Sequence, residues 1–407
     1  MEAVRRVPTH SEAAESEDAP TLELSVVMPC LNEADTLAAC IDKAWRAIDD
    51  NGLAGEVIVA DNGSTDGSPE IAAALGARVV PVGDRGYGNA LMGGIAASRG
   101  RFVVMGDADD SYDFAELPKF VERLRDGYDL VQGCRLEAGG GRVMPGAMPR
   151  LHRWWGNPMF TAMARRWFQV PVHDVYCGMR GFTRAHYDSL RQQCSGMEFA
   201  TEMIIRSSLA NARIAEVPIT LHPDGRKMHA PHLHTFRDGW RTLRFFLLYS
   251  PRWLFLIPGV ALIAAGLIGY GLALPGVSIG EVTFDAHTLL FASLALICGY
   301  QSVLFAFFTK VFAIDEGLLP PDPRLERMVR RVTLESGLVA GCIAVTGGVV
   351  ALLMAVNRWR VAEFGELEYA STMRLVVPGV TLVVIGFLTV LASFFASVYG
   401  LRRRRSS

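Results

Sequence analysis

The chain has 407 residues, 50% of them hydrophobic, and a formal net charge of −2 at pH 7. A nearly neutral chain without a basic excess argues against a nucleic-acid partner. Its seven cysteines are odd in number, scattered and without a CxxC pair, which argues against a disulfide framework or a structural zinc site. Long apolar runs begin near Trp253, so we expect a globular half followed by a membrane half.

The N-terminal half reads as alternating strands and helices after an acidic, apolar-poor stretch, residues 1–22, for which we predict a disordered tail. The predicted strands are Leu24–Met28, Val57–Ala60, Arg78–Val82, Phe102–Met105, Asp129–Gly133 and Ala215–Leu221. The predicted helices are Glu33–Ala47, Pro69–Leu75, Tyr87–Ser98, Leu117–Arg125, Leu151–Phe168 and Glu198–Asn211. We expect a mobile loop at Glu137–Pro149 and a second loop at His173–Arg180. This alternation is typical of an α/β domain, which we assign to residues 23–234.

The C-terminal half is predicted to lie on and in a membrane. Thr235–Tyr249 alternates arginines with aromatic and leucine side chains, which predicts an amphipathic interface helix over residues 235–252. Four apolar runs follow, each near the ~20 residues needed to cross a bilayer. They are Trp253–Leu274, Thr288–Ala313, Ser336–Val356 and Leu375–Tyr399. We therefore predict a four-helix transmembrane domain over residues 253–400 and a basic tail at 401–407.

Arginine asymmetry between the short loops predicts the orientation. The segment between the second and third spans is basic, with Lys310, Arg324, Arg327, Arg330 and Arg331. The C-terminus is basic as well, with Arg402–Arg405. The loop after the first span, residues 275–287, has Glu281 and Asp285 but no Lys or Arg. We expect a multi-pass integral membrane protein with its N-terminal domain in the cytoplasm.

The candidate site lies where three predicted strands end. Asp107 and Asp109 follow the strand Phe102–Met105, and two carboxylates at a strand end can hold a hard cation such as Mg2+ or Mn2+. An acidic triplet in a plain surface loop or helix cap is the alternative interpretation. Glu33 follows the first strand and Asp61 the second, and their carboxylates suit the edges of a base or ribose. The three loops should converge at one edge of the sheet.

Several segments resemble a known family. PCLNE at 29–33, DNGSTDGS at 61–68, GYGNAL at 86–91 and GDADDSYDF at 106–114 resemble the inverting GT-A glycosyltransferases of family two. Within that family, HDVYCGMRGFTR at 173–184, GMEFATEM at 196–203, EVPITL at 216–221 and DGRK at 224–227 resemble the dolichol-phosphate mannose synthase and polyprenyl-phosphate glycosyltransferase branch. The resemblance covers residues 24–255 and implies a GT-A, Rossmann-like α/β domain ahead of the α-helical membrane domain.

The resemblance also implies roles for individual residues. It assigns binding of the nucleotide to Pro29, Asn32, Glu33, Asp61, Asp107, Arg226 and Lys227. It assigns catalysis to Asp107, Asp109, Arg135, Asp174 and Arg180. It assigns Mg2+ or Mn2+ to Asp107 and Asp109, with Ser111 at a third position where many relatives have Gln. A second phosphate-holding arginine corresponds to Arg150 or Arg153.

The implied reaction is inverting transfer of one sugar from a GDP- or UDP-hexose to polyprenyl or dolichyl phosphate at the cytoplasmic membrane face. The ED and QxxRW motifs of processive synthases are not visible in the sequence, which favours a phosphate acceptor because an ionised phosphate needs no strong base. A transferase acting on a lipid or glycan hydroxyl and a non-catalytic membrane scaffold of the same fold are the alternatives. Expected partners are the nucleotide sugar, polyprenyl phosphate and the lipid bilayer, with no nucleic acid; homo-oligomerisation is left open. For His229, His232 and His234, contact with lipid headgroups or the diphosphate is preferred to a metal site.

Overall fold

The structure, a computed structural model, describes residues 22–226, 235–325, 327 and 333–403. The predicted N-terminal tail up to residue 21, Lys227 and the three histidines at 229, 232 and 234 lie outside these residues. The chain divides into two units, Met1–Trp240 and Arg241–Ser407.

A twisted, mainly parallel sheet forms the centre of the first unit. The strands of this unit are β1 Leu24–Cys30, β2 Gly55–Asp61, β3 Arg78–Pro81, β4 Phe102–Met105, β5 Leu130–Cys134, β6 Arg142–Val143, β7 Arg180–Thr183, β8 Ile214–Pro218 and β9 Thr220–Leu221. Seven of them form one sheet in the order β3-β2-β1-β4-β7-β5-β8, in which only β7 runs antiparallel to its neighbours. The strands β6 and β9 pair separately.

The helices of the first unit pack on this sheet. They are α1 Leu37–Asp50, α2 Ser68–Ala74, α3 Tyr87–Ala97, α4 Leu117–Arg125, α5 Asn157–Phe168, α6 Arg184–Leu190 and α7 Glu198–Leu209. The strand β1 is apolar along most of its length and is buried on both faces, as expected for a strand covered by helices on both sides. The helix α1 buries Leu37, Ile41, Ala44 and Ile48, which recur at helical spacing and form one apolar stripe.

The order of the strands determines where a ligand can bind. The strand β1 lies between β2 and β4, so the loops after β1 and β4 open a crevice at the carboxyl edge of the sheet. Open α/β sheets bind their ligands at such a switch point. Asp61 ends β2 in register with Cys30 at the end of β1, which brings the predicted polar loops to one edge.

Three details differ from the sequence predictions. The strand β7 and the helix α6 were not predicted. The expectation of an irregular mobile loop at Glu137–Pro149 was wrong in part, because β6 pairs with β9 at residues 220–221. The predicted helix Leu151–Phe168 contains a π-helical stretch at His152–Gly156 before α5 begins. The β7 and β6 pairings join segments that are distant in sequence, which a local pattern does not report.

The second unit contains the predicted membrane helices. After α8, Thr235–Tyr249, come a π-helical stretch at Arg252–Leu256, α9 Ile257–Ala273, α10 Ala286–Asp315, α11 Leu334–Val361 and α12 Tyr369–Arg403. Four helical stretches of the described residues are long and apolar enough to cross a membrane: Arg252–Ala273, Ala286–Asp315, Leu334–Val361 and Tyr369–Val398. The four predicted long apolar helices are therefore confirmed in number and place. In the loop after α9, where no strand was predicted, β10 Ser278–Ile279 and β11 Val282–Thr283 form a hairpin.

Small and hydroxyl-bearing residues hold these helices together. A Cβ atom on Gly348 would lie 2.5 Å from the carbonyl oxygen of Gly379, so α11 and α12 approach as closely as only glycine allows. The hydroxyl of Tyr270 in α9 is 2.7 Å from the Ser293 hydroxyl in α10 and 3.0 Å from that of Thr381 in α12. These hydrogen bonds join three of the four helices.

Candidate active site

The loops after β1 and β2 are fastened to each other by hydrogen bonds. Asn32 has a left-handed backbone, φ 59°, and its Oδ1 accepts a 2.8 Å hydrogen bond from the Thr65 amide. The Asn32 amide donates to Ser64 Oγ at 2.9 Å. Asp61 accepts the amides of Gly63 and Ser64, each at 3.2 Å, so its carboxylate orders its own loop. Asn32 and Asp61 thus shape the predicted nucleoside side of the crevice.

Two further residues, one in the loop after β2 and one in β1, help to position these loops. Asp66 accepts the Ala34 amide at 2.9 Å and the Ser68 amide at 3.1 Å, so its carboxylate fastens the loop after β2 to the segment after β1. Pro29 lies within β1, in register with Ala60. Pro29 therefore helps to place the loop that carries Asn32 and Glu33.

Asp107 is held by a tyrosine that the sequence did not single out. The phenol of Tyr87, at the start of α3, donates a 2.8 Å hydrogen bond to Asp107 Oδ1. Burial, and then the negative charge of Asp109, raise the pKa of Asp107 to about 6. A Cβ atom on Gly178 would lie only 2.9 Å from Asp107 Oδ2, so a larger residue in the loop before β7 would displace this carboxylate.

Asp109 lies between Ser111 and Arg226. Its Oδ1 accepts the amide and the hydroxyl of Ser111, at 3.0 and 2.6 Å. Its Oδ2 is 3.3 Å from Arg226 Nη2, while Arg226 Nη1 is 3.1 Å from Glu33 Oε1. One guanidinium thus links the carboxylate predicted to bind a nucleoside with the carboxylate predicted to bind a metal.

The carboxylates around Arg226 alter its protonation equilibrium. Burial alone would lower the pKa of Arg226, but the hydrogen bond to Asp224 and the charges of Glu33 and Asp109 raise it above its usual value. The Gly225 amide donates to the Asp109 carbonyl at 3.0 Å, which keeps this segment against the acidic loop.

Arg135 and Asp174 form a buried, bidentate pair. Arg135 Nε and Nη2 lie 2.7 and 2.9 Å from the two carboxylate oxygens of Asp174, and the Arg135 amide donates to Oδ2 at 3.1 Å. Glu216 in β8 accepts the amides of His173 and Asp174 at 2.7 and 3.1 Å. Asp174 therefore orients Arg135, and Glu216 fixes the loop from which Asp174 projects.

Arg180 has a different position. Its side chain is fully buried, and it donates to the carbonyl oxygens of Cys177, at 2.6 Å, and Ala200. Burial lowers the pKa of Arg180. Its Nε has no hydrogen-bond partner within the described residues. In this arrangement Arg180 supports the floor of the site and presents no guanidinium edge to a ligand.

A cavity of about 740 Å³ adjoins the Arg135–Asp174 pair. Leu136 and His173, the chain neighbours of that pair, contribute to its wall. Its other walls combine apolar and basic side chains with one acidic residue, Glu137, which pairs with Arg153 at 2.6 Å. The apolar and basic residues include Val143, Arg153, Trp154, Ala162, Arg165 and Arg166. A cavity of this size and lining suits a ligand with an anionic end and an apolar end. Arg150 is exposed and does not belong to the described lining, so of the two alternatives Arg153 is the arginine at the cavity.

The donor set allows a test of whether a divalent cation fits. Among the described residues, no group of three or more His, Cys, Asp or Glu side chains lies close enough together to hold a metal ion. Asp107 and Asp109 supply carboxylate oxygens of the kind that Mg2+ and Mn2+ prefer, so they fit such an ion only if ligand oxygens or water complete its coordination. Arg226 now pairs with Asp109 Oδ2 and would have to release it.

The comparisons with known proteins agree with this architecture. Residues 25–191 match the glycosyltransferase family 2 domain, and residues 307–400 match the glycosyltransferase family 2 C-terminal transmembrane region. The low-salt glycan biosynthesis hexosyltransferase Agl6 of Haloferax volcanii is 38% identical over 95% of this chain and 91% of its own. This chain belongs to glycosyltransferase family 2. The family membership confirms the prediction of a GT-A glycosyltransferase with a multi-pass membrane domain, and the scaffold alternative has no support.

Two other similar proteins match a smaller share of this chain. The dolichyl-phosphate hexose transferase of Haloferax volcanii is 36% identical over 48% of this chain and 82% of its own. The solved structure of glucosyl-3-phosphoglycerate synthase from Mycobacterium tuberculosis with Mn2+, UDP and phosphoglyceric acid is 25% identical, with a TM-score of 0.43, and covers 56% of this chain and 76% of that one. That likeness is too loose to carry an argument about ligands.

Proposed function

We propose that this glycosyltransferase moves one sugar from a nucleotide sugar to the phosphate of a polyprenyl or dolichyl phosphate, with inversion, at the cytoplasmic membrane face. The observation that carries the proposal is the bidentate Arg135–Asp174 pair beside a cavity lined by arginines and apolar side chains. A lipid phosphate has the charge and the apolar chain that such a cavity accommodates. The relative named dolichyl-phosphate hexose transferase supports the same acceptor class.

The donor side of the proposal uses the crevice at the carboxyl edge of the sheet. Glu33 and Asp61 would bind the nucleoside, and Asp107 and Asp109 would hold Mg2+ or Mn2+ with Ser111 beside them. When bound, the cation would neutralise the leaving diphosphate. Arg226 pairs with Glu33 and Asp109 and therefore lies in the same crevice. Once Asp109 holds the cation, the guanidinium of Arg226 would donate its N–H groups to the diphosphate.

The acceptor side needs little acid–base chemistry. A phosphate monoester is largely ionised near neutral pH, since its second pKa is about 6. Its oxygen would form the new bond to the anomeric carbon as the bond from that carbon to the diphosphate breaks and the nucleoside diphosphate leaves with the electron pair. Arg135 and Arg153 would hold the acceptor phosphate in line with the anomeric carbon and the leaving diphosphate. Such positioning lowers the barrier of the transfer.

One observation favours a second candidate, transfer to a hydroxyl. His173 lines the cavity, and its Nδ1 is 2.7 Å from Glu216 Oε2. If Nδ1–H donates to Glu216, Nε2 carries a lone pair and can accept a proton from a hydroxyl acceptor. The relative named as a glycan biosynthesis hexosyltransferase is compatible with such an acceptor. The variant His173→Ala separates the candidates, because it should abolish transfer to a hydroxyl and leave transfer to a phosphate largely intact.

The proposal is tested with purified full-length protein in detergent, Mg2+ or Mn2+, polyprenyl phosphate and a panel of labelled GDP- and UDP-hexoses. We expect one sugar per lipid and an acid-labile glycosyl phosphate product. A product that resists mild acid would indicate a glycoside of a hydroxyl and would contradict the proposal.

A further inference from the structure

The segment before and within α5 has an unusual charge. Between Glu137 and Asp174 the sequence contains five arginines and no Asp, Glu or Lys. Four of these arginines are exposed: Arg142, which begins β6, and Arg150, Arg165 and Arg166. A stretch of this length with one sign of charge attracts anionic surfaces and is screened by salt.

The same segment exposes large apolar side chains. Trp154 and Trp155 are each 68% exposed, and Leu151 is 54% exposed. They lie on the π-helical turn at His152–Gly156 and just before it. Adjacent exposed tryptophans are rare on a water-facing surface, because each leaves a large apolar area in contact with water. A partner that covers them would remove this area from water.

The two tryptophans have different surroundings. The guanidinium carbon of Arg153 lies 5.3 Å from the Trp154 ring centroid, and both side chains line the cavity described above. Trp155 is not among the residues that line the cavity. The cavity therefore does not account for the exposure of Trp155 or Leu151.

We infer that the surface formed by Leu151, Trp155 and the exposed arginines docks onto an anionic lipid bilayer. Tryptophan prefers the headgroup level of a membrane, and arginines near a bilayer surface gain from negatively charged lipids. The protein itself carries four helices able to span a bilayer, so a lipid surface is the partner that the chain already requires. An acidic protein is the rival occupant, and the test below excludes one of the two.

This docking would place the cavity wall at the lipid surface. Trp154 and Arg153 belong to the wall and adjoin Trp155 in sequence. A lipid-borne phosphate would then reach the cavity while its chain stays in the bilayer. Only this consequence rests on the proposed function; contact between Trp155 and lipid does not depend on what the acceptor is.

The test uses the full-length protein in nanodiscs, with Cys194, Cys298 and Cys342 replaced by alanine. A fluorophore is attached at Trp155→Cys or, as the matched control, at Asp50→Cys. Asp50 is exposed and is the last residue of α1. It lies shortly before the start of β2, and the strands begin at the edge of the sheet opposite the candidate site. Nitroxide lipids then report contact with the bilayer.

We expect quenching severalfold stronger at position 155 than at position 50, and stronger in discs containing phosphatidylglycerol than in phosphatidylcholine alone. Equal quenching at the two positions would overturn the inference and would point to a protein partner. Sugar transfer by the labelled proteins is measured separately. Strong quenching at 155 in a protein that does not use polyprenyl phosphate would leave the docking intact and refute the proposed function.

Discussion

The phenol of Tyr87 donates a 2.8 Å hydrogen bond to Asp107 Oδ1, and so the first turn of α3 supports the acidic loop after β4. The position of Tyr87 is fixed in turn by close packing. The Gly88 amide donates to the Ser195 carbonyl at 2.9 Å, and a Cβ atom on Gly88 would lie 2.2 Å from the Cys194 carbonyl oxygen. Glycine at 88 therefore allows the loop before α7 to hold the tyrosine in place.

Tyr87→Phe should weaken metal-dependent binding of the nucleoside diphosphate by about tenfold or more. The variant removes a hydrogen bond to a charged group, an interaction worth about 1.5–3 kcal/mol. Calorimetric titration with Mn2+ and the nucleoside diphosphate measures the effect. Tyr128→Phe is the control, because its ring packs under Arg213 in another part of the domain. Equal affinity in Tyr87→Phe and the wild type would show that the hydrogen bond is irrelevant to binding.

Arg226→Ala should have opposite effects on two ligands. It frees the carboxylates of Asp109 and Glu33 from the guanidinium that they share, so Mn2+ alone should bind more tightly. It also removes a guanidinium proposed to contact the diphosphate, so the nucleotide should bind less tightly. Separate titrations with metal and with metal plus nucleotide distinguish the two effects. The idea fails if Arg226→Ala weakens or leaves unchanged the binding of metal alone.

Asp109→Asn should lower sugar transfer by orders of magnitude without unfolding the domain. The amide keeps the shape of the side chain and can still accept the Ser111 hydrogen bonds, but it loses the charge that a divalent cation requires. Transfer is measured across a metal titration, and circular dichroism checks the fold. Near-normal activity that resists EDTA would rule out the metal role.

Asp174→Asn should destabilise the protein strongly, because it leaves the guanidinium of Arg135 buried without its counter-charge. Breaking a buried pair in this way costs about 3–5 kcal/mol. Glu137→Gln is the matched control: its pair with Arg153 is solvent-exposed, and its loss should cost about 1 kcal/mol or less. Thermal melting in detergent compares the two variants, and similar melting temperatures would mean that the buried pair adds no special stability.

The sequence predicted the architecture well for physical reasons that are visible in particular residues. The apolar runs of β1, β2 and β4 and the polar residues that end them are local signals, and they place Glu33, Asp61 and Asp109 at one edge of the sheet. Four uninterrupted apolar stretches predict four membrane helices equally directly.

Contacts between residues that are distant in sequence could not be predicted. Arg135 and Asp174 are 39 residues apart, and Arg226 and Glu33 are 193 apart, so no periodicity links them. The strand β7 is only four residues long and pairs with β4 and β5 across the sheet. Tyr87 had a weak signal, since GYGN precedes a helix, but nothing local indicated that its hydroxyl reaches Asp107.

The central claim is that a lipid phosphate, and not a hydroxyl, accepts the sugar. The most direct measurement compares polyprenyl phosphate with the matching polyprenol under identical donor, metal and detergent, for the wild type and for His173→Ala. The account predicts transfer to the phosphate only, retained in large part by His173→Ala. Comparable transfer to the free alcohol by the wild type, lost in His173→Ala, would contradict the account and would assign His173 and Glu216 to a general base.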